Sequence, residues 1–335
     1  NEYWFDNYDV LIIGSGIVGL SSAFYLSQNN PDLKIGIIDR HFIPSGASTK
    51  NAGFACFGTV GEILDDLKSM TDEEVKEIIR LRWDGLQRLR IIHGDDTIHF
   101  QNKPGVELFK DEESFNDCEI RIEEVNRLVK EAIGIENCFK SSKVDFAAGL
   151  FDYAIVNKYE GSLNPVFMIK NLAGLLRKQN VDIIPGISYQ SHDVSNDTIR
   201  VITDKGIEMK TRKLVFCTNA FTKKFMPQLD IIPARNQVIV SNKIQGLTLP
   251  ACYHFNKGYL YFREVEGRLL IGGARDIDME NEMTTEFGEN QIILNYLKEF
   301  AEKYIIKGAF EIESKWSGII ATGHEKKPIV KEIEN

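Results

Sequence analysis

The feature that most constrains this chain is the stretch from Asp9 to Gly19, which reads DVLIIGSGIVG. Val10 to Ile13 form a short apolar run, typical of a strand that is buried on both faces of a parallel sheet. A glycine-rich turn follows at once, and a helical pattern of apolar residues begins at Leu20. The order of strand, glycine turn and helix predicts a βαβ unit that binds a dinucleotide.

The positions within this turn have distinct physical tasks. Gly14 permits the tight turn, Gly16 lets the backbone approach a pyrophosphate, and Gly19 allows close packing of the helix on the strand. The next apolar run ends at Asp39, about 20 residues beyond Gly19, where an acid binds a ribose hydroxyl. The predicted cofactor-binding residues here are Gly14, Ser15, Gly16, Ile17, Val18, Gly19, Asp39 and Arg40. This pattern alone leaves open whether the dinucleotide is NAD(P) or FAD.

Composition limits the classes of partner. The 335 residues favour two domains, and the net charge of −9 disfavours nucleic acid, which needs concentrated basic surface. The five cysteines show no metal-ligand or redox spacing, so we expect no metal site and a reducing, cytoplasmic setting. No apolar run approaches the ~20 residues that span a membrane.

Two later stretches have the character of ligand loops. Residues 44 to 58 read PSGASTKNAGFACFG, and such small residues suit a loop that lies against a flat ligand, although ordinary surface loops share them. Lys213 to Cys217 form another buried-strand run, closed by Thr218, Asn219 and Ala220. The dinucleotide fold therefore resumes after an interruption. Between these stretches, Thr71 to Glu74 resembles a capping box that opens a helix, and Glu112 to Ile133 predicts one charged amphipathic helix.

An ordered set of motifs resembles the FAD-dependent amine and amino-acid oxidoreductases typified by glycine oxidase, sarcosine oxidase and D-amino-acid oxidase. The motifs are GSGIVG with Asp39-Arg40, GASTKNAG, EGSLNP, FCTNAF, KGYLYFREVEGRLLIGGAR and KWSGIIATGHEKKPIV. The resemblance implies an α/β fold: a doubly wound, Rossmann-like FAD-binding domain, interleaved with a smaller α+β substrate domain that has a mixed or antiparallel sheet. It also implies FAD at their junction.

The resemblance further implies domain boundaries and cofactor contacts. We expect the FAD-binding domain in residues 1–95, 145–225 and 316–335, and the substrate-binding domain in residues 96–144 and 226–315. The flavin contacts would extend to Gly46, Ala47, Ser48, Asn51, Ala52, Gly53, Tyr189, Thr218, Asn219 and Ala220. Lys50, in the same loop, would stabilise the reduced flavin anion electrostatically, or else be a solvated loop residue.

The chain departs from the family pattern in several places. Ile320 stands where glycine-oxidase-like members carry a carboxylate-binding Arg, and Glu325 stands in the Asp position of the late motif. That motif contains no cysteine to tether the flavin, so we expect non-covalent FAD. Leu270 or a neighbour replaces the oxygen-activating Lys, which leaves oxidase and dehydrogenase both open. Because the chain ends at Asn335, before a family Gly-rich segment, we expect that segment to be missing from this sequence.

Arg275, Tyr259 and Tyr261 are the candidate substrate residues. Arg275 follows the strand where the family places a pocket residue, and its guanidinium would bind a carboxylate at two points, unless it pairs with Asp276 or Asp278. The alternation from Tyr259 to Arg263 predicts a strand with Tyr259, Tyr261 and Arg263 on one face. Tyr259 would close the site or donate a hydrogen bond, unless it is a core aromatic residue, and Tyr261 is its neighbour on the same face. His254 and His324 are weaker candidates for proton acceptors.

The leading hypothesis is oxidation of a small amine or amino acid by hydride transfer to FAD. Oxidation of a 2-hydroxy acid or a polyol phosphate is the close alternative. An NAD(P)-dependent dehydrogenase and a non-catalytic flavin-binding subunit are the others. We expect a small-molecule substrate in the first two cases, and the oligomeric state stays open.

Overall fold

The computed structural model describes residues 7–144, 150, 152–324 and 326–333, and the chain divides into two compact units. The first unit comprises residues 1–51, 165–233 and 320–335, and the second comprises residues 52–164 and 234–319. Each unit is built from segments that are distant in sequence. No helix of the described residues combines the length and the apolar character needed to cross a membrane.

The described residues form strands of two to eleven residues. They are β1 (Tyr8–Ile13), β2 (Ile35–Asp39), β3 (Phe54–Ala55), β4 (Gln101–Asn102), β5 (Gly105–Leu108), β6 (Phe139–Lys143), β7 (Tyr153–Asn157), β8 (Gly161–Ser162), β9 (Asp182–Pro185), β10 (Tyr189–Ser195), β11 (Thr198–Thr203), β12 (Glu208–Phe216), β13 (Ile232–Ser241), β14 (Cys252–Phe255), β15 (Leu260–Val265), β16 (Arg268–Gly273) and β17 (Ile312–Thr322).

Helices connect these strands. The α-helices are α1 (Ile17–Asn29), α2 (Ala47–Lys50), α3 (Val60–Asp66), α4 (Asp72–His93), α5 (Glu112–Glu119), α6 (Ile122–Ile133), α7 (Pro165–Arg177), α8 (Met279–Glu282) and α9 (Gln291–Phe300). Shorter helical turns lie at Asn219–Lys224, Arg275–Asp278 and Ala301–Ile306. The region expected to form one helix from Glu112 to Ile133 forms two, because the chain turns at Ile120 and Arg121.

The first unit contains a six-stranded sheet in the order β10-β11-β12-β1-β2-β9. Strands β12, β1, β2 and β9 are parallel, whereas β10, β11 and β12 pair antiparallel. In the register, Ile13 lies opposite both Ile38 and Phe216, so the carboxyl ends of three neighbouring strands are level. This is the edge at which doubly wound folds bind their ligands.

The second unit contains an eight-stranded mixed sheet in the order β17-β13-β16-β15-β14-β5-β7-β6. Strand β14 pairs with β5 in parallel, while β15 pairs antiparallel with both β14 and β16. Because side chains alternate along each strand, the register assigns each residue to one face. The apolar face, which contains Tyr253, Leu260 and Phe262, packs against the amphipathic helix α9.

The opposite face of this sheet carries polar residues. Register partners place Glu107, His254, Tyr261 and Gly272 side by side across β5, β14, β15 and β16. Arg263 lies on the same face, two residues beyond Tyr261 on β15. We call this surface, defined by these five residues, the polar face of the second unit.

Helices α3 to α6 belong to the second unit, although the sequence assigns residues 52–95 to the FAD-binding domain. The reason is a shared apolar core, in which Phe57, Val75 and Ile79 pack with Val125 and Leu128. Helix α4 begins at the predicted capping box, where Thr71 and Glu74 exchange hydrogen bonds. The second unit is consequently the larger of the two, whereas we expected the substrate domain to be the smaller. The assignment of ligands to the two units stays a prediction.

Candidate cofactor and substrate sites

The glycine turn between β1 and α1 leaves no room for side chains at two positions. A Cβ atom added at Gly19 would lie 2.0 Å from the carbonyl oxygen of Gly14. Gly14 itself has a φ of +107°, and an added Cβ would lie 2.5 Å from the carbonyl oxygen of Cys217. The close approach of helix and strand therefore depends on these two glycines, as the sequence predicts.

Asp39 is fixed directly beside this turn. Its Oδ2 atom accepts hydrogen bonds from the backbone N–H and the hydroxyl of Ser15, each over 2.8 Å, and its Oδ1 atom accepts from His41 N–H at 3.0 Å. The structure thus brings together the glycine turn and the predicted ribose-binding acid, which lie 24 residues apart. Oδ2 thus uses both of its lone pairs, whereas Oδ1 has one further acceptor site for a ribose hydroxyl.

The N-terminus of α1 also meets the predicted flavin loop. Ile17 N–H donates to Ser48 Oγ over 2.9 Å, and a Cβ at Gly16 would lie 3.1 Å from that oxygen. Val18 is exposed in the first turn of the helix. The backbone N–H groups at this end and the positive end of the helix dipole suit a pyrophosphate.

The flavin loop contains the short helix α2. Gly46 is its N-cap residue, Ala47 its first residue and Lys50 its last. Asn51 closes the helix, because its Nδ2 atom donates to the carbonyl oxygens of Ala47 and Ser48. The amide of Asn51 therefore holds the loop conformation, whatever else it contacts.

Ala52 and Gly53 lie at the start of the second unit, where backbone and side chain fix them. Gly53 has a φ of +71°, and a Cβ there would lie 2.1 Å from the carbonyl oxygen of Leu163. The Nε atom of Arg263 donates to the carbonyl oxygen of Ala52 over 2.8 Å. No local pattern in the sequence indicates this contact, because Arg263 and Ala52 are 211 residues apart.

The residues after β12 lie at the same sheet edge as Gly14 and Asp39. Thr218 and Thr222 share a hydrogen bond of 2.8 Å between hydroxyls, and Ala220 is fully buried. Asn219 has a left-handed backbone conformation, and its Oδ1 atom accepts from Ala321 N–H. Arg40 stacks its guanidinium 3.8 Å over the ring of Phe221. The contact of Arg40 with Phe221 joins two predicted cofactor segments in the first unit.

Tyr189 is engaged elsewhere in the first unit. Its ring packs edge-on against Phe216 and Phe225, and its hydroxyl lies 2.7 Å from Nδ1 of His192. These contacts give the side chain a packing role at the start of β10. A contact of Tyr189 with the cofactor stays a prediction.

Tyr261 lies on the polar face among apolar neighbours. It clusters with Ala52, Phe54, Val238 and Leu270, the residue expected in the place of the family Lys. Burial raises the pKa of its phenol to about 12. Within the described residues, no group forms a hydrogen bond with its hydroxyl, which is therefore available to a ligand.

Arg275 and Tyr259 form a second pair, at the end of the β15–β16 hairpin. The guanidinium lies 5.6 Å from the centroid of the Tyr259 ring, and the described residues give Arg275 no ion pair. Asp276 instead accepts from Asn256, and Asp278 accepts from Asn281 and Asn290. Tyr259 precedes β15, so it does not share the strand alternation expected for it with Tyr261 and Arg263.

The two histidine candidates differ in their surroundings. His324 is exposed and its ring lies 2.9 Å from the carboxylate of Asp230. His254 is buried on the polar face, and its Nε2 atom lies 2.9 Å from Oε2 of the buried Glu160. Glu325, the late-motif acid, lies outside the described residues.

His254 belongs to a group of three side chains of the types that can bind a metal ion. The ligand atoms of Cys56, Glu160 and His254 all lie within 4.8 Å of one another. The expectation of no metal site rested on local spacing, whereas these three residues are up to 198 positions apart in sequence. No short-range signal in the chain indicates this grouping.

Comparison with known proteins agrees with the fold. Glycine oxidase from Geobacillus kaustophilus superposes with a TM-score of 0.75, at 18% identity, over 98% of this chain and 86% of that chain. L-amino acid deaminase from Proteus vulgaris, lacking its specific insertion sequence, gives 0.72 at 20% identity, over 98% and 82%. At these identities the likeness establishes the fold alone.

A curated relative matches over a short stretch only. Thiamine thiazole synthase from Eremothecium gossypii is 48% identical over 40 residues, which is 12% of this chain and 12% of the synthase. A match this short carries no statement about the activity of this chain.

The family assignment covers almost the whole sequence. The model of the family described as FAD dependent oxidoreductase (DAO) matches residues 9–335. The close packing of helix and strand that Gly14 and Gly19 allow, with the N-terminus of α1 and Asp39 beside it, fits the adenine dinucleotide of FAD. The chain therefore belongs to the DAO family of FAD-dependent oxidoreductases.

Proposed function

We propose that this oxidoreductase oxidises a small amine or amino acid at the carbon that bears the nitrogen. One observation carries the proposal. On the polar face, Tyr261 lies within an apolar cluster that contains Phe54, Val238 and Leu270, and its hydroxyl has no hydrogen-bond partner among the described residues. A small substrate held there would have its C–H group in apolar surroundings and one polar group fixed by a hydrogen bond.

The two parts of the reaction divide between the two units. In the first unit, the glycine turn, Asp39 and the Ser48 loop would hold FAD without a covalent bond. When bound, FAD accepts a hydride from a carbon that bears nitrogen or oxygen, so the cofactor supplies the difficult chemistry. The protein then has to orient the donor and keep water away from the reacting carbon. A strong catalytic base is not required.

Arg275 would bind the carboxylate of an amino-acid substrate. Its guanidinium has no ion-pair partner within the described residues and stacks over Tyr259, which orients it. Two parallel hydrogen bonds from a guanidinium match a carboxylate in geometry and charge. This arrangement would replace the Arg that the family carries at the position of Ile320.

The other groups near Tyr261 have supporting roles. Arg263, held by the carbonyl oxygen of Ala52, would fix the start of the second unit beneath the substrate. The ring of Phe54 packs edge-on against Tyr261 and so holds the phenol in place. An amine substrate that has lost its ammonium proton would donate an N–H to the phenol oxygen, which leaves its nitrogen lone pair free to form the C=N bond as the hydride leaves. Lys50 would add positive charge near the flavin.

The identity of the products tests the donor class. The purified full-length protein with FAD would be incubated with glycine, sarcosine, larger amino acids, simple amines, 2-hydroxy acids and glycerol phosphate. An amino acid gives an imine that hydrolyses to a 2-oxo acid and ammonia, or an amine if the nitrogen is substituted. A hydroxy acid gives the 2-oxo acid without a nitrogen product. Release of ammonia or amine in step with the oxo product supports the proposal.

Oxidation of a 2-hydroxy acid or a polyol phosphate remains the second candidate. The apolar Ile320 at the family Arg position favours it, because an anchor specific to amino acids is absent there. Oxo-acid formation without a nitrogen product would support this alternative. If NAD(P)H alone reduced the bound flavin, the result would support an NAD(P)-dependent dehydrogenase. If the protein bound FAD but turned over no donor, the result would support a non-catalytic flavin-binding subunit.

A further inference from the structure

The side chains of Cys56, Glu160 and His254 form a compact cluster in the second unit. Their ligand atoms lie within 4.8 Å of one another, and Glu160 Oε2 lies 2.9 Å from His254 Nε2. Glu160 and His254 are 1% and 6% exposed, respectively. The redox chemistry proposed above assigns no task to these three groups.

Separate strands hold the three residues in place. His254 is in the middle of β14, while Cys56 follows β3 and Glu160 precedes β8. Strands β3 and β8 pair antiparallel, with Ala55 opposite Gly161, so the pairing fixes the separation of Cys56 and Glu160. The site is therefore defined by sheet geometry and not by a flexible loop.

The surroundings of Glu160 are fitted to a carboxylate. A Cβ at Gly105 would lie 2.2 Å from its Oε2 atom, so the absence of a side chain there makes room for the acid. Asn157 Nδ2 reaches the other oxygen at 3.4 Å, and Phe54 packs edge-on against the His254 ring. Within the described residues, His254 and Asn157 are the hydrogen-bond partners of this carboxylate, and a bound cation would add to their compensation for its loss of water.

The charge near the cluster is negative. Glu107 faces His254 across β5 and β14, and Glu62 adds a second carboxylate whose field reaches the histidine. Arg82 is the nearby cation, but it forms an ion pair with Glu62. Both oxygens of Glu107 accept from Gly61 N–H, and one also accepts from Thr59, so Glu107 is committed to the start of α3. A divalent cation would balance the remaining charge.

We propose that Cys56, Glu160 and His254 bind one divalent transition-metal ion of the zinc class. A thiolate, an imidazole and a carboxylate are the ligands that Zn²⁺ takes, and three protein ligands leave a fourth position for water. Soft and borderline ligands of this kind disfavour Mg²⁺ and Ca²⁺, which prefer oxygen ligands alone. Binding would release the Cys56 thiol proton to solvent, and the proton that His254 Nε2 shares with Glu160 would move to Nδ1 of the same ring, or to solvent if Nδ1 already carries a proton. Through Cys56 and His254, the ion would link the segment that follows β3 to strand β14.

Metal analysis of the full-length, FAD-bound protein tests this proposal. The protein is stripped with a chelator, exposed to Zn²⁺, freed of unbound ion by gel filtration and analysed by mass spectrometry for zinc. We expect one zinc per chain. Co²⁺ used in place of Zn²⁺ should give the d–d bands of a tetrahedral site at wavelengths longer than the flavin absorption.

Variants separate the site from adventitious binding. Replacing a residue that hydrogen-bonds a metal ligand already weakens metal sites by about 10- to 100-fold, so loss of a ligand in Cys56→Ser or His254→Gln should weaken Zn²⁺ binding by more than about a hundredfold. Cys118→Ser, which removes a buried free cysteine outside the cluster, should bind like the wild type. Retained FAD and an unchanged circular dichroism spectrum would show that each variant folds. Wild-type protein without zinc, or equal uptake by Cys56→Ser, overturns the proposal.

Discussion

The backbone N–H and the hydroxyl of Ser15 both donate to the same oxygen of Asp39, each over 2.8 Å. One side chain at the end of β2 thereby holds the glycine turn that follows β1. The two elements are level at this edge because Ile13 and Ile38 are register partners. The predicted pyrophosphate site and ribose site are in this way parts of one hydrogen-bonded unit.

Replacing Asp39 should weaken FAD binding. In Asp39→Asn the charge-assisted bonds from Ser15 become neutral ones, and the ribose acceptor loses its charge, so we expect about a tenfold higher Kd, or ~1.4 kcal/mol. Flavin fluorescence released on dilution measures the change. Asp32→Asn, at an exposed position on the α1–β2 connection, is the matched control and should bind FAD normally. Equal retention by both variants would refute the assignment.

Gly19→Ala should damage the same site by steric conflict. The new methyl group would lie 2.0 Å from the Gly14 carbonyl oxygen, so helix α1 must move away from the strand. We expect loss of bound flavin and a lower Tm. Gly174→Ala, in α7 with no atom within 4 Å of the added Cβ, should instead stabilise the protein by up to ~1 kcal/mol. Thermal unfolding monitored by circular dichroism compares the two, and a Gly19→Ala protein as stable as wild type would contradict the geometry.

Tyr261→Phe should slow turnover without unfolding the protein. Loss of one substrate hydrogen bond should lower kcat/KM by about tenfold. Because burial raises the pKa of this phenol to about 12, the wild-type rate should show no loss from its ionisation as the pH passes 10, the usual value. Steady-state rates between neutral and alkaline pH check both statements. Tyr253→Phe, on the apolar face, is the control, and an equal effect of the two changes would remove Tyr261 from the substrate site.

Glu282 should be a strong determinant of stability in the second unit. It is 1% exposed and accepts hydrogen bonds from Arg235, Gln237 and Asn290. Glu282→Ala would leave Arg235 without its ion pair in a buried setting, which costs about 3–5 kcal/mol. Denaturant unfolding should show this loss, whereas Glu208→Ala, which removes an exposed partner of Arg200, should cost less than about 1 kcal/mol. Similar costs for both would show that the buried network contributes little.

Sequence reasoning succeeded where the signal was local. The glycine turn, Asp39 and the Thr71 capping box depend on residues close in the chain or on a βαβ spacing that the fold repeats. It gave one helix in place of α5 and α6, because the apolar period continues across the turn at Arg121. It also grouped α4 with the FAD-binding domain, whereas in the structure Val75 and Ile79 pack on α6 within the second compact unit, a contact that the local pattern does not indicate.

Long-range contacts explain what could not be predicted. Arg263 reaches Ala52 across 211 residues, and Cys56 meets His254 only because β3, β8 and β14 come together. Neither relationship leaves a motif in the sequence. Tyr259 and Arg275 were found through the family resemblance, yet their stacking depends on the shape of the β15–β16 hairpin.

The central claim is that this chain transfers a hydride from an amine to FAD, and the visible spectrum tests it most directly. The purified full-length protein would be mixed anaerobically with amino acids, amines and hydroxy acids in separate experiments. The account predicts a flavin spectrum that bleaches with amine donors and not with hydroxy acids, and Arg275→Met should slow bleaching only for donors with a carboxylate. A flavin that hydroxy acids alone reduce, or a protein that does not take up FAD, would contradict it.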